Sequence, residues 1–173
     1  MATIYYTASS IDGFIVDEGD SLDWLMSRDI DANGPFGYDA FIDSVGAMVM
    51  GATTYEWVLA NDEEWQLKQP PTWVVTHRPE IVRKDHPVEA FQGDVKELHP
   101  LLEQKAAGKD VWMVGGGEVA SQFADAGLID EMIVSYAPCT LGSGARLMPM
   151  HTEWALVESG VNGDFVCARW RKA

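Results

Sequence analysis

The chain has 173 residues, 47% of them hydrophobic and 23% charged, which fits one globular domain spanning residues 1–173. Its 27 acidic and 12 basic residues leave a net charge of −15, which excludes the basic surface that nucleic-acid binding requires. No apolar run approaches the roughly 20 residues that cross a membrane, the first residues lack a signal pattern, and the cysteines and histidines have no metal-ligand spacing. We therefore expect a cytoplasmic protein without a metal site.

The first half of the chain alternates β-rich segments with short helical ones. Strands are predicted where β-branched, aromatic and other apolar residues cluster, and helices where apolar residues recur three or four positions apart. Thr53 and Glu56 have the spacing of a capping box, which predicts Thr53 as the N-cap of a helix. A long loop rich in Gly and Asp runs from Ser9 to Asp31. The predicted elements are strands over 3–8, 13–16, 47–50, 72–76 and 88–91 and helices over 36–44 and 53–59.

The second half continues the alternation and ends in two strands. Asn162-Gly163 lies between these last strands and is a strong hairpin signal. The apolar strands lack polar alternation, which indicates a sheet covered on both faces. We therefore predict an α/β fold of three layers, with a mixed, mostly parallel sheet and a C-terminal antiparallel hairpin. The predicted elements are a helix from Asp94 through Ala107, a strand over 110–114, a helix over 118–126, and strands over 130–136, 154–160 and 164–171.

Three consecutive glycines, Gly115 to Gly117, connect a predicted strand to a predicted helix. Glycine lets the backbone turn sharply and lets a phosphate approach the N–H groups at the positive end of the helix dipole. The spacing up to Ala120 also satisfies the Gly-x-Gly-x-x-Ala fingerprint, but that motif normally opens its domain and has an acidic residue about 20 positions later. Ser135 and Tyr136 stand at that distance here. A tight strand–helix turn without a ligand is the alternative interpretation.

Two further strand ends carry similar chemistry. From Gly51 to Glu56 a glycine and two threonines begin a predicted helix, and residues 76–78 supply hydroxyl, imidazole and guanidinium groups suited to phosphate. Parallel strands present their carboxyl ends at the same edge of a sheet, where α/β folds bind ligands. Taken singly, each motif is explained by a helix cap or a surface charge. Together the three strand ends predict a site for a nucleotide-like anion.

Five ordered motifs resemble those of dihydrofolate-reductase-like proteins, and most closely the standalone relatives of the riboflavin-biosynthesis pyrimidine reductase domain. The resemblance covers nearly the whole chain. It implies a dihydrofolate-reductase-like fold and an NADPH-using reductase that acts on a small molecule, often as a homodimer. The motifs are Ala8-Ser-Ser-Ile-Asp-Gly-Phe-Ile, Met50-Gly-x-x-Thr-Tyr-Glu, Val74-Val-Thr-His-Arg, Met113-Val-Gly-Gly-Gly-Glu and Asp130-Glu-Met-Ile-Val-Ser-Tyr-Ala-Pro.

The resemblance also implies roles for individual residues. Asp12 begins the loop that covers the nicotinamide, and Ala8 offers its backbone to the carboxamide of that ring. Two groups of residues hold the pyrophosphate from opposite sides, and a third lines the adenosine ribose. Trp24, Ser135 and Tyr136 border the substrate pocket. The pyrophosphate residues are Gly51, Thr53 and Thr54 on one side and Gly115, Gly116, Gly117, Glu118 and Val119 on the other, and the ribose residues are Thr76, His77 and Arg78.

Two positions depart from the family pattern. Family members usually carry Arg directly after the first glycine of the Gly-x-x-Thr motif, where it meets the 2′-phosphate of NADPH, and this chain has Ala52 there. Arg78 is the candidate replacement, so NADH is an alternative cofactor. The acid that anchors a pterin in folate reductases also has no clear equivalent, which argues against a folate reductase. Its candidates are Asp29, Asp31, Asp39 and Asp43.

The implied reaction is hydride transfer from a reduced nicotinamide to a small pyrimidine- or pterin-like heterocycle, or to a carbonyl or imine compound. The acceptor also needs a proton, from a carboxylic acid or an ordered water. Asp12 is the candidate donor, although an Asp before Gly often only forms a turn. The alternatives are a nucleotide-binding protein of the same fold without turnover, and the riboflavin-pathway pyrimidine reductase itself.

Overall fold

A single large sheet runs through the molecule from Thr3 to Lys172. The computed structural model describes residues 1–62, 64 and 69–173. The strands are β1 (Thr3–Ser10), β2 (Phe14–Val16), β3 (Val45–Gly51), β4 (Thr72–Val75), β5 (Val88–Phe91), β6 (Asp110–Gly115), β7 (Glu131–Ala137), β8 (Ala145–Arg146), β9 (Trp154–Asn162) and β10 (Phe165–Lys172). Those of the large sheet lie in the order β5-β4-β3-β6-β1-β7-β10-β9, and β2 pairs with β8 in a separate small ribbon.

The sheet is parallel from β5 through β7 and antiparallel at its other end. Within the parallel part, β1 lies between β6 and β7, with Ile4 opposite both Trp112 and Glu131. The last two strands, β9 and β10, form the antiparallel hairpin that Asn162-Gly163 predicted, and β10 also pairs antiparallel with β7. The α/β fold with a mostly parallel sheet is therefore confirmed. The parallel arrangement places the ends of β1, β3, β4, β6 and β7 along one edge.

Helices cover both faces of the sheet because the strands are apolar on both sides. Leu98 and Leu102 of α4 and Phe123 of α5 pack on one face. Phe41 of α2 and Tyr55 of α3 pack on the other. This is the three-layer arrangement expected from strands without polar alternation. The helices are α1 (Asp23–Met26), α2 (Tyr38–Ser44), α3 (Ala52–Asn61), α4 (Val95–Ala106) and α5 (Gly117–Asp125), with a short 3₁₀ turn over Pro79–Ile81.

The capping box predicted at Thr53 and Glu56 is wrong. Helix α3 already begins at Ala52, with Gly51 as its N-cap and no side-chain capping bond. Thr53 therefore lies inside the first turn, and the carboxylate of Glu56 accepts hydrogen bonds from Arg78 instead. The cap predicted at Asp94 is correct, because its carboxylate accepts from the N–H of Lys96 at 2.9 Å. Among the described residues, no helix is long and apolar enough to cross a membrane.

Candidate functional site

Two glycine turns meet at the edge formed by the carboxyl ends of β3 and β6. A Cβ atom added to Gly116 would lie 3.6 Å from both the Cα and the N of Gly51. One added to Gly115 would lie 3.5 Å from the Oγ1 of Thr54. Gly116 has a φ of +90°, a conformation that side chains with a Cβ rarely adopt. The two turns thus bring their main chains close together between the starts of α3 and α5, and we call this region the glycine cradle.

The first turn of α5 completes the cradle. Its leading N–H groups have no intrahelical partners, so together with the helix dipole they favour an anion at this end. Val119 of this turn packs on Gly51, where an added Cβ would lie 3.2 Å from its Cγ2. Gly117 packs even more closely, because a Cβ there would lie 2.1 Å from the carbonyl oxygen of Arg146. Glu118 is exposed, and because its carboxylate repels an anion, its backbone N–H is the group that suits a phosphate.

The end of β4 lies beside the cradle and carries Thr76, His77 and Arg78. The hydroxyl of buried Thr76 accepts the N–H of Arg78 at 2.9 Å, which fixes the turn after the strand. Both terminal nitrogens of Arg78 donate to the carboxylate of Glu56, at 3.0 and 2.9 Å. This carboxylate raises the pKa of Arg78 above its ordinary value. The ring of His77 contacts the amide of Gln92 at 3.2 Å.

The carboxylate of Asp12 is occupied by hydrogen bonds to its own loop and to the loop around Leu141. It accepts from the hydroxyl of Ser10 at 2.6 Å, and from the N–H groups of Leu141 and Gly142 at 3.0 and 2.8 Å. Chiefly the Ser10 bond, with the two backbone bonds, lowers the pKa of Asp12 to about 2. A carboxylate of this pKa is ionised at neutral pH. The geometry therefore gives Asp12 the structural role of joining two loops and does not fit the predicted role of proton donor.

An apolar cleft of about 340 Å³ opens next to the glycine cradle, on the face of the sheet that carries α2 and α3. Val114 lines the cleft and is followed directly by Gly115 of the cradle. Ala8 and Ser135 also line it, and the register of β1 against β7 makes them direct neighbours. The cleft is lined by Tyr6, Thr7, Ala8, Leu25, Met26, Arg28, Ile30, Trp112, Val114, Ser135 and Phe165.

The structure separates the two residues of β7 that were predicted to border the substrate pocket. Ser135 faces the cleft, and its hydroxyl lies 3.3 Å from the Sγ of buried Cys167. Tyr136 faces the opposite side of the sheet, where it packs against the core under α4 and α5. Burial raises the pKa of its phenol. Tyr136 therefore does not line this cleft, because successive residues of a strand point to opposite faces.

Trp24 supports the wall of the cleft from outside. Its side chain packs against the cluster formed by Ala137, Phe165 and Cys167, and its Nε1 donates to the carbonyl oxygen of Ser21 at 3.1 Å. The residues that line the cleft from α1 are instead its neighbours Leu25 and Met26. The tryptophan in the predicted loop therefore indicated the segment that borders the cleft. Trp24 itself is not among the residues that line it.

Several lining residues were absent from the sequence prediction. Tyr6 has a usable signal, since it lies two residues before the predicted site residue Ala8 on the same strand and so shares its face. The Nε1 of Trp112 donates to the carbonyl oxygen of Tyr6 at 2.9 Å, which ties the two strands at the cleft floor. Phe165 had no local signal, because only the pairing of β10 with β7 brings it here.

The cleft has one cation and no carboxylate among its described lining residues. The cation is Arg28, whose Nε donates to the carbonyl oxygen of Trp24 at 3.3 Å. Asp29 and Asp31 use their backbone to bind the hairpin residues 162–164. None of the four acids considered as pterin anchors lines the cleft, and the other two, Asp39 and Asp43, lie on α2.

The chain is similar to known proteins over nearly its whole length. Residues 2–159 match the family described as the RibD C-terminal domain. The Bacillus subtilis (strain 168) protein YwjB, itself uncharacterized, is 31% identical over 145 residues, which are 84% of this chain and 81% of YwjB. A riboflavin-biosynthesis-like protein of Shewanella sp. PV-4 superposes with a TM-score of 0.83 at 26% identity, over 100% of this chain and 99% of that one.

More distant structures share the fold. A deaminase and 5-amino-6-(5-phosphoribosylamino)uracil reductase of Thermotoga maritima has a TM-score of 0.75 at 18% identity, over 99% of this chain and 56% of that one. Dihydrofolate reductase of Enterococcus faecalis, complexed with NADP(H), has a TM-score of 0.69 at 16% identity, over 99% of this chain and 96% of that one. The dihydrofolate-reductase-like fold expected from the sequence motifs is therefore confirmed.

Proposed function

We propose, because this chain belongs to the family of RibD C-terminal domains, that it is an NADPH-dependent reductase of a small heterocyclic, carbonyl or imine substrate. The observation that carries the proposal is the glycine cradle, where a Cβ added to Gly116 would lie 3.6 Å from the Cα of Gly51, beside an apolar cleft. The substrate class and the use of NADPH rather than NADH are both part of this proposal.

The glycine cradle suits the pyrophosphate of a dinucleotide. Gly116 is only partly buried and lies close to Gly51 and Gly115, and the starts of α3 and α5 both point their positive ends to this edge. Thr54 adds a hydroxyl close to Gly115. This arrangement binds an anion mainly with backbone groups, which fits a chain whose net charge is −15.

The adjoining cleft suits the nicotinamide and the acceptor. Ala8 and Val114 place it next to the cradle, so a dinucleotide held there at its pyrophosphate has its nicotinamide half directed into apolar surroundings. Bound NADPH supplies the hydride. The chain itself aligns the two partners between Trp112 and the α1 segment and excludes water from them. Because the cleft has no carboxylic acid among its described lining, we assign proton delivery to ordered water.

Two alternatives rest on particular observations. The lack of an acid in the described lining of the cleft favours a nucleotide-binding protein without turnover. Membership of the RibD C-terminal domain family favours the riboflavin-pathway pyrimidine reductase, whose anionic substrate has Arg28 as its candidate partner. Oxidation of NADPH in the presence of a panel of pyrimidine substrates would distinguish the pyrimidine reductase from the nucleotide-binding protein without turnover.

The decisive experiment is a titration of the purified protein with NADPH and NADH, followed by tryptophan fluorescence. We expect saturable micromolar binding, which Gly116→Ala weakens at least tenfold because a Cβ intrudes between the two turns. Gly108→Ala is the matched control, since Gly108 has the same φ of +90° but lies after α4 with no atom within 4 Å of an added Cβ. Equal weakening by both variants, or no binding by the wild type, contradicts the proposal.

We further infer that the protein is a homodimer, as the family resemblance implies. The outer hairpin exposes Leu156, Val161 and Val166, and the register places them on one face because Val161 is opposite Val166 and Leu156 is opposite Trp170. An apolar face of this kind is characteristic of an interface. The cytoplasmic location and the absence of nucleic-acid and membrane partners stay predictions.

A further inference from the structure

We propose that Glu56 is a specificity-determining residue that competes with the 2′-phosphate of NADPH for Arg78, and so reduces the preference of this chain for NADPH over NADH. The inference rests on the proposed function, because it assumes that the adenosine half of a dinucleotide binds beside the end of β4. It adds a role for Glu56 and a reason for the lost arginine at position 52.

Glu56 lies on the same helix as Ala52, the position of the missing arginine. Ala52 and Glu56 are four residues apart in one helix, so their side chains share a face. Ala52 occupies the position at which family members usually carry the arginine that meets the 2′-phosphate. The structure instead brings Arg78 to this face from the end of β4, with its guanidinium bound to Glu56. The cation needed for a 2′-phosphate is thus present, but it is supplied from another element.

The contact between Arg78 and Glu56 occupies the groups that a phosphate would bind. Both terminal nitrogens of Arg78 are used by the two carboxylate oxygens of Glu56, a bidentate contact that matches what a phosphate would make. The side chains are 53% and 44% exposed, so a ligand can reach them. The main chain of Arg78 is held by the hydroxyl of Thr76, which fixes where its side chain leaves the end of β4.

The negative charges near Arg78 also oppose a 2′-phosphate. A 2′-phosphate brings about −1.5 to −2 charges at neutral pH. At this corner it would meet Glu56 and, on the 3₁₀ turn, Glu80, with one guanidinium between them. The 2′-hydroxyl of NADH is neutral and is a suitable donor to a carboxylate, while guanidinium suits the phosphate. Glu56 therefore opposes NADPH and is neutral or favourable toward NADH.

The test compares NADPH and NADH affinities of the wild type, Glu56→Gln and Glu80→Gln. Both substitutions remove one negative charge near Arg78, but only Glu56 holds its guanidinium. We expect Glu56→Gln to tighten NADPH binding about three- to fivefold, the size expected when an exposed ion pair stops competing. NADH binding should change less than about twofold, and Glu80→Gln should have a smaller effect on the ratio. A merely structural role of Glu56 would alter both affinities together.

A double variant tests whether Glu56 acts through Arg78. In the Arg78→Ala background the effect of Glu56→Gln on the NADPH to NADH ratio should disappear, as a double-mutant cycle requires for a coupled pair. Persistence of the effect without Arg78, an equal effect of Glu80→Gln, or an unchanged ratio overturns the inference while both nucleotides still bind. Failure of every variant and the wild type to bind either nucleotide overturns the proposed function as well, so the two failures are distinct.

Discussion

Asp12 illustrates how a single carboxylate joins two loops that are remote in the sequence. It accepts from Ser10, two residues away, and from Leu141 and Gly142, about 130 residues away. Its neighbour Gly13 adds a second link, because its carbonyl oxygen accepts the N–H of Leu147 at 2.9 Å. The loop at the end of β1 is thereby fastened to the segment that passes Gly117 on its way to β9.

The lowered pKa of Asp12 predicts how stability depends on pH. Its folded pKa of about 2 lies below its ordinary value of 3.8, so ionised Asp12 contributes stability at pH values above about 4, and this contribution is lost as the pH falls toward 2. We expect Asp12→Asn to lower the urea midpoint at pH 7 and to flatten the fall between pH 4 and 2. Urea unfolding of both proteins across this range is the measurement.

The same variant tests the catalytic role expected from the sequence. Because Asp12 is ionised at neutral pH, Asp12→Asn should keep kcat above about a tenth of the wild-type value, whereas loss of a general acid costs about 100- to 10,000-fold. A loss of that size, together with a changed pH profile of kcat, would restore Asp12 as the proton donor. Asp17→Asn is a suitable control, because the carboxylate of Asp17 also holds a loop, through the N–H groups of Gly19 and Ser21.

At the scale of elements, helix α5 depends on a close approach to the segment around β8. Its first residue, Gly117, faces the main chain of Arg146 and Leu147, which leaves no room for a Cβ. The carbonyl oxygen of Leu147 also accepts the hydroxyl of core Tyr5 at 3.1 Å. The glycine run therefore has two separate purposes: Gly116 keeps the cradle open, and Gly117 lets the β8 segment pack on the helix.

This close approach predicts a large effect of one methyl group. Gly117→Ala should lower the free energy of unfolding by about 1–3 kcal/mol, because overpacking against a backbone atom outweighs the roughly 1 kcal/mol that alanine adds to a helix. Gly115→Ala is the control, since its added Cβ would lie 3.5 Å from the Oγ1 of Thr54, an ordinary contact. Urea unfolding at pH 7 measures both. Equal midpoints for the two variants would mean that the β8 segment yields without cost.

At the scale of the whole molecule, the exposed apolar face of the β9–β10 hairpin sets an expectation for assembly. Two chains of charge −15 repel each other, so a stable pair needs a face with few charges, and Leu156, Val161 and Val166 form one. We expect the wild type to sediment at twice the mass of the chain. Val161→Lys combined with Val166→Lys should yield the monomer, because it buries two charges in the contact.

The control for this prediction lies on another surface. Leu101 of α4 is also an exposed large apolar residue, and Leu101→Lys should leave the dimer intact. Sedimentation equilibrium at physiological salt gives the masses. A wild type that is monomeric contradicts the proposed homodimer. If the variant with Val161→Lys and Val166→Lys is still dimeric, the dimer interface lies outside the hairpin. A dimer broken by Leu101→Lys alone would move the interface to α4.

Much of this protein follows from its sequence by itself. Apolar β-rich runs specified the strands, glycines and Asp94 marked helix ends, and Asn162-Gly163 specified the hairpin, since these are local effects of side chain on backbone. The strand-end motifs at Gly51, Thr76 and Gly115 meet at one edge because parallel strands leave them no other arrangement. Even the opposite faces of Ser135 and Tyr136 were available from strand geometry, although the family resemblance had assigned both to the pocket.

Tertiary structure decided the contacts between residues that are far apart in the sequence, because local strand and turn patterns do not specify them. The partners of Asp12, the pairing of Glu56 with Arg78 and the arrival of Phe165 in the cleft all depend on residues far apart in the chain. Such contacts arise from how the sheet orders its strands and how loops close over its edge. A carboxylate has the same chemistry in every sequence, and only its neighbours in space decide whether it holds a loop, binds a cation or donates a proton.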